Sequence, residues 1–162
     1  MADVFNTHLD WSGGVKGAAR DPATYSRDLE VSIASISLPM SAAASYRGDA
    51  SRANPEQLFV ASLSACQALT YLYVAAKRGV VVVAYEDDAE GHLAVVDGRM
   101  RVARVILRPR VTLEAGADEA QARELVEKAH QDCFIANSVS TRVEIEPAFE
   151  FVDAASAAES KP

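Results

Sequence analysis

The stretch NPEQLFVASLSAC, residues 54–66, decides how this chain is read. Asn54 is a good N-cap, Pro55 takes the first helical position, and Glu56 in the first turn suits the positive end of a helix dipole. These three predict a helix that starts here. The apolar residues that follow, Leu58, Ala61, Leu63, Ala65, Leu69, Leu72 and Val74, spread around most of the circumference, so the helix is expected to be wrapped on several sides. Lys77 and Arg78 complement its C-terminal end and Gly79 stops it. One of only two cysteines in the chain, Cys66, stands in the middle of this apolar run.

Upstream, RDLEVSIAS alternates Leu29, Val31 and Ile33 with polar neighbours and reads as a strand in a β-rich first third. The segment SYRGDASRANPE reads as a loop. Downstream, VVVVAYEDDAEGHLAVVDG and RMRVARVILRPRVTLEA read as two long strands joined at Asp97-Gly98, with Ala103, Val105, Leu107, Val111 and Leu113 on one face. Pro109 marks an edge or a bulge. A second helix begins at the cap Asp118, and its stripe Ala122, Val126, Ala129 and Cys133 turns Cys133 inward. The closing RVEIEPAFEF reads as one strand with Val143, Ile145, Phe149 and Phe151 in and its glutamates out. This order of strands, helix, long hairpin, helix and strand predicts an α+β fold.

At 162 residues the chain fits one folding unit, expected over residues 1–152, with the low-complexity DAASAAESKP (153–162) as a mobile tail. An apolar share of 49% with 24% charged residues is that of a globular protein. The run LFVASLSACQALTYLYVAA is interrupted by Ser, Gln and Thr and reads as a core helix before a membrane span. The opening MADVFNTHLD has no signal-peptide pattern, which makes a cytoplasmic location the default expectation. A net charge of −7 disfavours a nucleic-acid partner. Arg101, Arg104, Arg108 and Arg110 keep no single face and read as a solvated strand edge.

Two cysteines are too few for a four-ligand zinc site, and a reducing compartment argues against a structural disulfide. Each is therefore inert packing or redox chemistry. Both lie on helices expected to share a core, so they can meet although 67 positions apart. A reactive thiol needs a nearby cation or a helix N-terminus to ionise near neutrality. Cys66 lies too far along its helix for the dipole, which points to an arginine among Arg20, Arg27, Arg47 and Arg52, held in fixed geometry by Glu56. Glu56 and Cys66 are separated by about 15 Å along an ideal helix. Two copies of the helix packed antiparallel across a dimer axis would bring the glutamate of one toward the cysteine of the other.

NPEQLFVASLSAC, the later AHQDCFIANSV and the strand-helix order between them resemble the OsmC/Ohr family of osmotically inducible and organic hydroperoxide resistance proteins, over about residues 20–151. The resemblance implies an OsmC-like fold, with antiparallel strands around a long central helix, and an intertwined homodimer with two sites at its interface. It further implies a thiol peroxidase that reduces organic hydroperoxides. By position, Cys66 resembles the peroxidatic cysteine, Cys133 the resolving cysteine, and Glu56 the acid that holds the activating arginine. That arginine is expected to be Arg27, with Arg47 and Arg52 as rivals. YSRDLEV keeps Arg27 and Asp28 of the family's arginine motif without its flanking glycines, and Phe134 stands where many members have proline.

Under this reading Cys66 becomes a sulfenic acid, Cys133 closes a disulfide with it, and an external dithiol, a dihydrolipoyl group or lipoylated protein, reopens the pair. No bound cofactor, metal, nucleic acid or membrane is expected. Leu58, Leu63, Leu69, Tyr71 and Tyr73 are either core or the wall of an apolar substrate pocket. His130, three residues before Cys133, has no further visible metal ligands, and His8 and His92 read as surface or turn residues. The alternatives are a redox-sensing or small-ligand-binding protein on the same fold, and two cysteines that only fill space.

Overall fold

A computed structural model describes residues 3–153, so most of the tail at 153–162 lies outside the described residues. The chain divides into two compact units, one up to Leu58 and one from Phe59. The first holds an antiparallel sheet of β1 (Thr7–Asp10), β2 (Leu29–Ile33) and β3 (Ile36–Met40), with β2 in the middle. Val31 and Met40 carry its buried face. The loop after β3 folds back on itself. Ser41 donates its backbone N–H to the Ala53 carbonyl (2.9 Å), and its Oγ accepts from the Asp49 N–H (3.1 Å).

The helix α1 (Pro55–Lys77) begins where the sequence predicts. The Asn54 side chain accepts from the Gln57 N–H (2.9 Å), and the Gln57 side chain accepts in return from the Asn54 N–H (3.0 Å). This is a reciprocal capping box in which Gln57 is the second partner. Gly79, at φ 75°, closes the helix. By length and composition α1 could cross a membrane, and it is the one such helix among the described residues. It is not wrapped on every side in this chain. Ala61, Ala65, Leu69, Leu72, Tyr73 and Ala76 form an exposed stripe at helical spacing.

In the second unit the two long strands expected after Gly79 are four. Strands β4 (Val82–Asp87), β5 (Glu90–Val96), β6 (Arg99–Leu107) and β7 (Pro109–Glu114) belong to two sheets, β4 pairing with β7 and β5 with β6. Asp87 and Arg108 mark the break: the Asp87 carboxylate accepts the Arg108 N–H (2.7 Å) where both arms turn from one sheet to the other. The hairpin does turn at Asp97-Gly98, both with positive φ (52° and 75°), as a tight two-residue turn requires. Pro109 is neither an edge nor a bulge. It is the buried first residue of β7, the middle strand of its sheet, a position where a missing N–H is tolerated.

The closing segment is likewise two strands, β8 (Arg142–Ile145) and β9 (Ala148–Val152), separated at Glu146-Pro147. They run parallel to β6 and β7, so the sheets are mixed rather than wholly antiparallel. Val143, Ile145 and Phe149 pack on the core, whereas Phe151 is 43% exposed. With β8 added, β6 is also a middle strand, and three of the four arginines expected on a solvated edge are ion-paired, while Arg101 donates to the Ser140 hydroxyl (3.5 Å). Arg104 meets Glu144, Arg108 meets Glu90 and Glu146, and Arg110 meets Glu86 and Asp88.

The helix α2 (Glu119–Asp132) is capped by Asp118, which accepts from the Ala120 N–H (2.9 Å). Its buried stripe is the expected one: Ala122, Val126 and Ala129, continued by Cys133. Tyr71, Val74 and Ala75 of α1 join Val111, Leu113 and that stripe in one core, while Leu63, Val105 and Leu107 form a second.

Candidate active site

Packing of α1 on α2 brings the two cysteines together. Gln67, the residue after Cys66, is 1% exposed and donates from Nε2 to the Val126 carbonyl of α2 (3.1 Å). A buried amide bonded across two helices fixes their register, because leaving it unpaired costs more than an apolar mismatch. Cys133 caps the end of α2 with extended backbone (φ −68°, ψ 115°) and is 1% exposed. Cys66 is only partly buried, both thiols are free, and each lies close enough to the other to change its ionisation.

The pair is electrostatically unequal. Burial pushes the Cys66 thiol up, but the Cys133 thiol and the backbone N–H groups of Ile135 and Phe134 bring it below its ordinary value; the Thr70 hydroxyl donates to the Cys66 carbonyl (2.8 Å). Burial pushes the Cys133 thiol up, and donating to Cys66 pushes it further. Cys66 is therefore the group that ionises, and Cys133 keeps its proton. The Ala136 N–H points at the Cys133 sulfur (3.4 Å). Burial also pushes Tyr71 up to about 12 and Tyr85 higher still, so neither phenol serves as a base near neutrality.

Cys66 opens onto a cavity of about 800 Å³ whose other walls include Leu69, Thr70, Tyr73, Val74 and Phe134. Of the residues expected to line an apolar pocket, Leu69 and Tyr73 do so. Leu63 and Tyr71 are sealed in the core, and Leu58 belongs to the first unit. Thr70 and the amides of Phe134 and Ile135 went unnoticed in the sequence. Thr70 at i+4 from Cys66 was a visible signal, whereas a backbone N–H carries none.

The other candidates lie in the first unit or at the start of α1. Arg27 donates to the carbonyls of Pro22 (2.7 Å) and Tyr25 (3.0 Å) and lies over the Tyr25 ring at 4.3 Å. Arg47, with φ 65°, shares a cavity with Arg27, Tyr25 and Tyr46. Arg52 pairs with Asp49 at 3.4 Å, and Glu56 sits in the first turn of α1. Nδ1 of His130 is buried without a hydrogen-bond partner. Among the described residues no three His, Cys, Asp or Glu side chains group as a metal site. His8 is exposed, and His92 contacts Glu90 at 3.2 Å.

This asymmetry has a direct readout. Iodoacetamide titrated across pH should modify Cys66 first, with a half-point below the roughly 8.5 of a free thiol, because the thiolate is the nucleophile. Cys133 should react only once the chain is unfolded. Equal labelling of both thiols in the native protein, resolved by peptide mass, would contradict the assignment.

A family model described as OsmC-like protein matches residues 48–148. A solved OsmC-like protein of unknown function from Vibrio cholerae is 30% identical, with a TM-score of 0.83 over 91% of this chain and 100% of its own. An organic hydroperoxide resistance protein from Legionella pneumophila is 21% identical, with a TM-score of 0.66 over 92% of this chain and 99% of its own. OhrB of Bacillus subtilis, also an organic hydroperoxide resistance protein, is 18% identical, with a TM-score of 0.60 over 91% and 98%. The last two share the fold. No curated protein sequence matches the chain.

Proposed function

The chain belongs to the OsmC-like protein family, and on that premise we propose that it is a cysteine-based peroxidase reducing organic hydroperoxides to alcohols. The observation that carries the proposal is the unequal Cys66–Cys133 pair, with Cys66 at the wall of a largely apolar cavity and Cys133 buried behind it. In the first step the Cys66 thiolate attacks the terminal peroxide oxygen, the O–O bond breaks, and the leaving alkoxide takes a proton to become the alcohol. Cys66 is left as a sulfenic acid, oxidised by two electrons. The Cys133 thiol then condenses with it, an S–S bond forms and water leaves. A dithiol, for which a dihydrolipoyl group is our assignment, returns two electrons by exchange and becomes a disulfide itself.

Arg27 is our choice for the guanidinium that adds to the activation of Cys66, with Arg47 and Arg52 next, and Glu56 is the carboxylate that would orient it. We assign the working form as a homodimer with sites at its interface. Support comes from the uncovered stripe on α1, where Leu69 is 69% and Tyr73 66% exposed, with Phe134 at 83% on the same cavity. The setting we propose is cytoplasmic, with no nucleic-acid or membrane partner. The substrate class follows the property for which the Legionella and Bacillus relatives are named.

The test is consumption of cumene hydroperoxide and of hydrogen peroxide by purified protein with a lipoyl dithiol. Catalytic consumption, faster with the organic peroxide by about tenfold or more, is the expected result, since one apolar group in a matched pocket is worth about that much. Disulfide formation without recycling would favour a redox sensor instead, and no reaction at all would reject both.

A further inference from the structure

Cys133 stands where α2 stops and the chain bends into the short 3-10 turn Ala136–Ser138. Most hydrogen bonds of this bend stay inside it. The Asn137 N–H meets the Cys133 carbonyl (3.0 Å), the Ser138 N–H the Ile135 carbonyl (3.0 Å), and the Ser138 hydroxyl the Phe134 carbonyl (2.7 Å). The Ala136 N–H points at the Cys133 sulfur (3.4 Å). Bonds of this kind hold the bend's own shape without fixing it against the helix. Ile135 and Ala136 rest its far side on the core around Leu63, Val105 and Leu107.

Among the described residues, one side-chain hydrogen bond reaches from the bend back to α2. Asn137 donates from Nδ2 to the Gln131 carbonyl in the last turn of that helix (2.8 Å). The last carbonyls of a helix have no partner inside it, so this acceptor is free to take an outside donor. Asn137 therefore straddles Cys133, with its backbone N–H on the Cys133 carbonyl and its side-chain amide on a carbonyl just before it. The same bend walls the cavity onto which Cys66 opens: Gln131, Asp132, Phe134 and Asn137, which flank Cys133 in sequence, all line it. The seating of the bend on α2 thus sets where the Cys133 sulfur stands relative to Cys66.

We propose that Asn137 is a positioning residue for Cys133: its side-chain amide pins the bend to α2 and so governs how fast Cys133 closes the disulfide with Cys66. Exchange within one molecule draws its speed from the two groups being held in place. A loosened bend slows closure and leaves attack by Cys66 as it was. This deepens the peroxidase reading at its second step and rests on Cys66 and Cys133 forming one disulfide. The bond lies at the surface, so its loss costs little folding stability.

The test uses dithiobis(nitrobenzoic acid), an aromatic disulfide, and needs no peroxide. The Cys66 thiolate attacks one of its sulfurs, a mixed disulfide forms, and the first thionitrobenzoate leaves. The Cys133 thiol then attacks the Cys66 sulfur, the protein disulfide forms, the second thionitrobenzoate leaves, and the thiol proton passes to solvent. Both releases are coloured. The first scales with reagent concentration and the second does not, so the second phase reads closure alone. Asn137→Leu keeps the branched outline and the backbone N–H and removes the donor; Asn137→Asp, which has no amide hydrogen to give, decides if leucine prevents folding. Ser138→Ala removes a neighbouring bond that stays inside the bend. The expected result is a second phase slowed about three- to tenfold in the Asn137 variants, the weight of one hydrogen bond, with the first phase unchanged and Ser138→Ala like wild type. An unchanged second phase in the Asn137 variants, or equal slowing in Ser138→Ala, overturns the proposal and leaves the disulfide standing. A single release from the wild type rejects the disulfide and the role of Asn137 with it. Slowed closure in a protein that reduces no hydroperoxide would reject the peroxidase and leave Asn137 as the residue that positions the pair.

Discussion

Cys66→Ser should lose hydroperoxide reduction by about 10³-fold or more, the scale on which nucleophile deletions act. A serine hydroxyl is not ionised near neutrality, so the surroundings that lower the Cys66 pKa, the Cys133 thiol and the Ile135 and Phe134 N–H groups, have no anion to act on. Cys133→Ser should behave differently. Its Cys66 still meets the peroxide, so one equivalent is reduced at a rate within about tenfold of wild type, less the donor that Cys133 supplied. The reaction then stalls at the sulfenic acid, which dimedone traps. Stopped-flow consumption of cumene hydroperoxide separates the two variants. Equal losses of the first turnover in both would mean that the cysteines do not divide the work as their surroundings imply.

The second large effect is on stability, in the first unit. Gly48→Ala should destabilise that unit by about 3 kcal/mol or more, at the upper end of overpacking costs. A β-carbon at residue 48 would overlap the backbone carbonyl of Ala42, and backbone cannot rotate aside as a flexible side chain can. Ala42 is held next to Ser41, which is 1% exposed and bonded to Ala53 and Asp49, so the loop has little room to move. Urea denaturation followed by Trp11 fluorescence reads this directly, since Trp11 is the sole tryptophan and donates to the Ser26 carbonyl (2.8 Å) in the same unit. An unchanged midpoint would show that the loop yields.

The order of elements was legible because its signals are local. Asn54 and Asp118 cap their helices, Gly79 ends the first, Asp97-Gly98 turns the hairpin, and the Ala122-to-Cys133 stripe is buried as its spacing requires. What the sequence hid is non-local. Alternation along RVEIEPAFEF is the same whether it makes one strand or two, and only pairing with β6 and β7 splits it at Glu146-Pro147. Pro109 suggested an edge because the rule counts a missing N–H, yet at the first residue of β7 that N–H is not needed. Arg104, Arg108 and Arg110 looked unpartnered because their glutamates lie 18 to 40 residues away in sequence; Arg108 and Glu90 are 18 apart, Arg104 and Glu144 40.

The same distinction governs the site. Cys66 and Cys133 could be named from the sequence because each is a rare residue on a periodic helix face, and the packing of α1 on α2 brings them together. A sequence displays an activating cation only as a side chain. The donors found beside Cys66 are backbone amides of Phe134 and Ile135, groups whose contribution depends on where a bend places them. Arg27 and Glu56 remain proposals, resting on the family resemblance and on the need for a guanidinium held in place.

The measurement that bears most directly on the central claim is addition of one equivalent of cumene hydroperoxide to the reduced protein, followed by free-thiol counting and intact-mass analysis. The account predicts loss of both thiols, a mass lower by two hydrogens, one equivalent of alcohol, and a peptide map joining Cys66 to Cys133 within one chain. Two surviving thiols and unconsumed peroxide would contradict it.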